Sequence, residues 1–257
     1  MIAGAVMAAM LLGAPAQERP YQPLPSPVSA TCPRGVCQPE ALGGLARASG
    51  PLRIVQFGDS HTASGWLTEA YRRRLEADLG RPVELAAHAE VGATIGALSG
   101  RTPLLDLNAP RPDLIVIAYG TNDGFDDALD LGAFEDRLRG EIARAKAEAP
   151  AAAILILGAP EAMRGEGGGT CPDDPEGRWR EPGLLPLVRD VQHRVAAETG
   201  VAFWDWRGRM GGACSAHRLT LGPEPLMRRD HVHFNEAGAD WLGGLLAADI
   251  ISAVRGR

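Results

Sequence analysis

Five short runs, residues 53–57 (RIVQF), 83–87 (VELAA), 114–119 (LIVIAY), 152–157 (AAILIL) and 201–206 (VAFWDW), recur along the chain. Amphipathic stretches with helical period lie among them at 66–79, 134–147 and 185–199, and a last one follows at 237–254. Alternating strands and helices imply a parallel sheet, because each crossover needs a helix to carry the chain back. Several of the runs are almost wholly apolar, as strands become when helices cover both faces of their sheet. A chain of 257 residues with 45% hydrophobic content can bury one full core, so a single α/β domain starting near Pro51 is expected. In such open sheets a ligand sits beyond the carboxyl ends of the strands.

The chemistry-bearing residues cluster at those ends. Gly58-Asp59-Ser60-His61 follows the first run and places a serine where a strand turns into a helix. Alone the tetrapeptide is as good a polar turn or N-cap as a site. Glu90-Val91-Gly92-Ala93-Thr94-Ile95 follows the second run and Gly120-Thr121-Asn122-Asp123 the third, while Asp230-His231-Val232-His233 lies near the C-terminus. Singly, Gly92 is one of 32 glycines and Asn122 an ordinary turn residue. Serine needs a base within hydrogen-bond reach and a third group that orients the base. Asp230 and His233, three residues apart, share one side of a turn, so the carboxylate can accept the Nδ1 proton while Nε2 faces Ser60. His231 is the nearby rival.

The order Ser60, Gly92, Asn122, His233 resembles the SGNH branch of the GDSL hydrolases over residues 51–257. That resemblance implies a flavodoxin-like three-layer α/β/α sandwich with a five-stranded parallel sheet. It implies catalytic Ser60, Asp230 and His233, the Asp-x-x-His spacing selecting His233 over His231. It assigns an oxyanion hole to the Ser60 N–H, the Gly92 N–H and the Asn122 side-chain amide, and it calls for neither cofactor nor metal. His61 stands where the namesake motif has leucine, and we read it as a supporting or cleft-lining group. A serine followed by histidine is similar to bacterial esterases that remove O-acetyl groups from peptidoglycan or other polysaccharides. The expected substrate is therefore a short-chain acyl ester on cell-envelope carbohydrate, the more so because no long apolar groove is evident beside Ser60. The alternatives are a lysophospholipase or thioesterase of the same fold, and a polysaccharide-binding relative with a spent site.

The formal net charge of -6 leaves no basic footprint and argues against nucleic acid as a partner. An apolar stretch from Ile2 to Leu12 followed by Ala14-Pro15-Ala16 reads as a secretory signal over 1–16 that is too short to span a bilayer, although no Lys or Arg precedes Arg19. Export to the periplasm or beyond, without membrane insertion after cleavage, follows. Residues 17–50 read as a proline-rich arm. Cys32, Cys37, Cys171 and Cys214 are an even set in an exported chain; they allow three connectivities, of which Cys32–Cys37 with Cys171–Cys214 is preferred over the alternatives, zinc included. Residues 159–184, dense in Gly, Pro and charge, read as a wall of the cleft or a solvated insertion. Trp204 and Trp206 are expected on one face of the last strand, and Trp66, Phe125 and Trp179 near enough to the site to stack on a sugar. Oligomeric state leaves no mark in the sequence.

Overall fold

The computed structural model describes Cys32, residues 35–46 and residues 50–256. The leader expected over 1–16 and much of the arm expected over 17–50 lie outside the described residues. Among those described, six strands form one mixed sheet in the order β1-β6-β5-β4-β2-β3. Strands β2 (Leu52–Gly58), β3 (Val83–Ala89), β4 (Leu114–Ala118), β5 (Ala153–Leu157) and β6 (Ala202–Trp204) run parallel and correspond to the five expected runs. The sixth, β1 (Val36–Cys37), adds to the edge antiparallel, with Val36 opposite Trp204 and Cys37 opposite Phe203.

Among the described residues, nine α-helices connect or flank the strands. The long ones are α2 (Trp66–Leu79), α5 (Leu131–Glu148), α6 (Leu184–Thr199) and α9 (Glu236–Arg255). The others are single turns or little more: α1 (Ser60–Ala63), α3 (Gly96–Ser99), α4 (Thr121–Gly124), α7 (Trp206–Met210) and α8 (Ser215–Arg218).

The two-residue period of a strand explains the three layers. Along β4, Leu114 and Val116 enter a core with Leu67, Tyr71 and Leu75 of α2 and Leu242, Leu246 and Ile250 of α9. Ile115 and Ile117 enter the opposite core with Phe134, Leu138 and Ile142 of α5 and Leu185, Val188 and Val195 of α6. Each such side chain removed from water contributes about 1.5–3 kcal/mol. Helix α9 is long and apolar enough to cross a membrane by length and composition, yet here Leu242, Leu246, Ala247 and Ile250 are buried in the core it shares with α2 and the sheet. The two helices approach closely at Gly243, where an added Cβ would stand 2.5 Å from that of Ala70 and 2.9 Å from the Tyr71 nitrogen. Alanine at 243 would force them apart.

The packed unit begins earlier than Pro51. A 3-10 helix at Pro39–Ala46 buries Leu42 and Leu45 in the α2/α9 core, and β1 extends the sheet. Two apolar residues in a strand and two in a 3-10 helix are too few to show a period, which is why the sequence read this stretch as an arm. The last strand also ends earlier than expected. Asp205 caps α7 by accepting the Gly208 N–H at 2.9 Å, so Trp206 starts a helix and does not share a strand face with Trp204. Both indoles are buried all the same, and Trp204 donates its Nε1 proton to Asp249 at 2.8 Å.

Both preferred disulfides are present, Cys32–Cys37 and Cys171–Cys214, and no described cysteine is free. The second ties the 159–184 segment to α8. That segment is an ordered excursion: Arg164 and Arg180 bridge antiparallel, Gly167 donates to the Arg178 carbonyl and Gly169 to that of Gly177, each at 2.8 Å. Buried Glu161 accepts the Cys214 and Ala216 N–H groups at 2.7 and 2.8 Å and the Ser215 hydroxyl at 3.0 Å, fixing the other end of the bridge. Joining residues 43 apart restricts the unfolded chain by about 4 kcal/mol in the chain-entropy model. Reduction is therefore expected to lower the melting temperature by roughly 10 °C. Thermal melts with and without reductant, and of Cys171→Ser/Cys214→Ser, measure it; a shift below about 2 °C would show that the bridge restrains little.

Candidate active site

Strand β2 lies between β4 and β3, with Gly58 level with Ala118 on one side and Ala89 on the other. Neighbouring strands are about 4.8 Å apart, so the turns that leave β2, β3 and β4 emerge side by side. Ser60 is carried by the middle turn, Gly92 and Asn122 by its neighbours. Asp59 caps α1 by accepting the His61 N–H at 3.0 Å. A buried polar chain fixes the same turn from below: Tyr71 donates to Gln56 Oε1 at 2.5 Å and Gln56 Nε2 donates to the Thr62 hydroxyl at 2.8 Å. All three side chains are buried, so their hydrogen bonds specify a single arrangement of the helix that starts at Ser60.

The two flanking turns are bound to each other. Asn122 donates from Nδ2 to the Ala93 carbonyl at 2.9 Å, and both carboxylate oxygens of Asp123 face the Ile95 N–H at 3.2 Å. Burial pushes the Asp123 carboxyl up to about 6 even though the Ile95 N–H favours its charged form. Gly92 has φ of +79°, a left-handed conformation that residues with a Cβ rarely adopt, whereas an added Cβ there would meet nothing within 4 Å. Backbone geometry, not crowding, requires the glycine.

From the far end of the chain, His233 brings Nε2 to 2.9 Å from the Ser60 hydroxyl, and its Nδ1 lies 2.9 Å from Asp230 Oδ2. The other Asp230 oxygen accepts the Val232 and His233 N–H groups, both at 2.9 Å, closing a tight turn. Partial burial alone would raise the Asp230 carboxyl, but the His233 and Val232 N–H groups and the His233 ring outweigh it and hold it below its ordinary value. An ionised Asp230 accepts the Nδ1 proton, which leaves the Nε2 lone pair directed at Ser60.

His231 lies elsewhere. With φ of +58° its side chain turns into the protein, where Nδ1 donates to the Arg229 carbonyl at 2.9 Å and Nε2 lies 3.0 Å from His217 Nδ1. Trp179 of the disulfide-tied segment stacks on it with ring centres 3.5 Å apart. Burial, with His217 adding to it, lowers the His231 imidazole. Thus the structure brings Ser60, Asp230 and His233 together, His231 packs the 159–184 segment against the turn beside them, and Gly92 and Asn122 stand on the turns to either side of Ser60. The sequence did not point to Asp123 or Gln56; an aspartate directly after Asn122 and a glutamine inside an apolar strand were the available signals.

A cavity of about 320 Å³ opens beside Ser60, walled by His61, Leu67, Trp206, Arg228, Phe234 and Leu242. The sequence showed no long apolar groove beside Ser60, and the apolar wall of this cavity is assembled from Leu67 of α2, Trp206 of α7, Phe234, and Leu242 of α9, residues far apart in the chain. Of the three rings considered for a sugar, Phe125 lies under Arg164 and Trp179 stacks on His231. Trp66 lies near the cavity, under the guanidinium of Arg228.

Fold and residue pattern together define a hydrolase of carboxylic esters. The chain belongs to the GDSL-like Lipase/Acylhydrolase family, whose model matches residues 56–241. Among solved structures it is similar to a peptidoglycan O-acetylesterase, with 19% identity and a TM-score of 0.73 over 86% of this chain and 96% of that one. A lipase/acylhydrolase from Enterococcus faecalis matches with 22% identity and a TM-score of 0.55 over 77% and 94% of the two chains. An acetyl xylan esterase from Geobacillus stearothermophilus matches with 19% identity and a TM-score of 0.57 over 78% and 95%. At these identities the likeness is one of fold. No curated protein matches the chain.

Proposed function

We propose that the chain is a serine esterase that removes short acyl groups, acetyl above all, from cell-envelope carbohydrate such as peptidoglycan or an exopolysaccharide. The observation that carries this reading is the hydroxyl–imidazole–carboxylate relay, 2.9 Å at each step, between turns that offer further donors. Ser60 attacks the ester carbonyl as His233 Nε2 takes its proton, and Asp230 stabilises the imidazolium that forms. The negative charge on the former carbonyl oxygen is met by the Ser60 and Gly92 N–H groups and by the Asn122 amide, whose second N–H remains after the first is given to Ala93. Each such donor is worth about 3–4 kcal/mol in the transition state. His233 returns the proton to the departing sugar oxygen; water then attacks the acyl-Ser60 ester by the same route and releases the carboxylic acid. No step calls on a metal or cofactor.

Two disulfides fit an oxidising compartment, and with them we place the enzyme in the periplasm or outside the cell. The catalytic domain then comprises 51–257 together with the packed residues of 35–46. The carbohydrate reading is supported by the polar groups on the cavity wall, Ser64 and Arg228 among them, which can hydrogen-bond sugar hydroxyls. Its apolar wall of Leu67, Trp206, Phe234 and Leu242 favours a second reading, a lipase or thioesterase with a longer acyl chain. A series of p-nitrophenyl esters decides. We expect kcat/KM to fall from acetyl to octanoyl, and acetate to be released from O-acetylated peptidoglycan; a rise toward octanoyl would replace the carbohydrate reading with the lipase one.

A further inference from the structure

We propose that His61 is a positioning residue: as an imidazolium it donates one N–H to Asp59 and the other to the Val232 carbonyl, locking the turn that carries Ser60 to the turn that carries His233. The inference rests on the roles just proposed for Ser60 and His233, which lie in turns 173 residues apart. His61 Nδ1 is 3.1 Å from Asp59 Oδ1, and Nε2 is 3.0 Å from the Val232 oxygen. Neither a carboxylate nor a carbonyl can donate, so each ring nitrogen must carry a hydrogen. A neutral ring has only one. The side chain is 5% exposed and that of Asp59 2%, so water is poorly placed to substitute for either contact.

The surroundings favour the charged ring. Burial alone would lower the His61 imidazole, but Asp59, with the Val232 carbonyl and the more distant Asp230, outweighs it and raises the pKa above its ordinary value. The other groups facing the ring are the His233 imidazole with its centre at 5.4 Å, the edge of Trp206 at 5.4 Å and Phe234 at 6.1 Å, and Arg228 borders the same cavity. A leucine here could bury its side chain equally well but would hold neither partner and would leave the Asp59 carboxylate buried without its cation. Val232 immediately precedes His233, so a slack Val232 carbonyl lets the base drift from Ser60, and displacement of a reacting group by 1 Å can cost about 10²-fold.

The test uses the full chain and two measurements. His61→Gln is expected to lower kcat about 10²-fold with KM within about threefold, because the relay is loosened while glutamine keeps a polar side chain of similar bulk on the cavity wall that His61 shares with Leu67, Trp206, Phe234 and Leu242. Since the histidine pKa is raised, the clamp holds below that pKa and is lost as pH rises through it. Wild-type kcat should therefore fall on the alkaline side, and the His61→Gln profile should lack that fall. Independently of turnover, NMR of the wild-type protein labelled with nitrogen-15 in histidine should show both His61 ring nitrogens protonated at neutral pH. A single ring N–H, or a His61→Gln enzyme with wild-type kcat and an unchanged alkaline limb, overturns the proposal. Should wild type cleave no ester, the reading of Ser60 and His233 fails instead, and the ring protonation still decides the state of His61.

Discussion

Replacing Ser60 by alanine is expected to reduce kcat for ester cleavage by about 10⁶ while leaving the melting temperature within roughly 2 °C of wild type. The two halves of this expectation have separate physical causes. The Ser60 hydroxyl makes its hydrogen bond to His233 and sits half-buried at the start of α1, so its removal opens no core cavity and strands no buried partner. Helix α1 keeps its Asp59 cap and its anchorage through Thr62, so the backbone N–H of residue 60 stays in place. What remains is a site able to bind and polarise the ester without a nucleophile, and such sites retain only about 10³–10⁴ over water. Steady-state rates with p-nitrophenyl acetate, alongside a thermal melt, test both halves. A serine-directed phosphonate should label wild type and not the variant. Activity within tenfold of wild type would remove Ser60 from the nucleophile's role.

How much of this was legible beforehand depended on range. The inner parallel strands were readable because sheets covered on both faces write themselves as apolar runs, and β4 with its Leu114-Ile115-Val116-Ile117 feeds two cores at once. Strand β1 was not, because two residues carry no period and its place is set by pairing with Phe203 and Trp204 far along the chain. Helix α2 was readable to its ends, Trp66 and Leu79, because glycines stand at both caps in left-handed geometry. At the site, the residues that follow strand ends could be placed by order alone, since register brings those ends together. The partners of His61 could not: Val232 lies 171 residues away and contributes a backbone carbonyl, which no side-chain pattern announces. The cavity wall stayed hidden for the same reason, its residues meeting only after α2 and α9 pack.

His233→Ala should be nearly as damaging as loss of Ser60, with about 10⁶ lost in kcat, whereas His231→Ala should keep kcat within about tenfold and lose stability instead. The contrast is sharp because the two histidines are two residues apart and share a turn. Removing the His233 ring leaves Ser60 without a base and Asp230 without the Nδ1 proton it accepts, yet both are open enough to water to tolerate the loss. Removing the buried His231 ring touches no reacting atom. It takes away the surface on which Trp179 stacks and the partner of His217 Nδ1. The 159–184 segment should then loosen from the turn, lowering the melting temperature by several degrees. Rates must be expressed per folded molecule so that the two effects do not mix. A His233→Ala enzyme that remains active beside an inactive, well-folded His231→Ala enzyme would show the base to be His231 and the observed relay to be incidental.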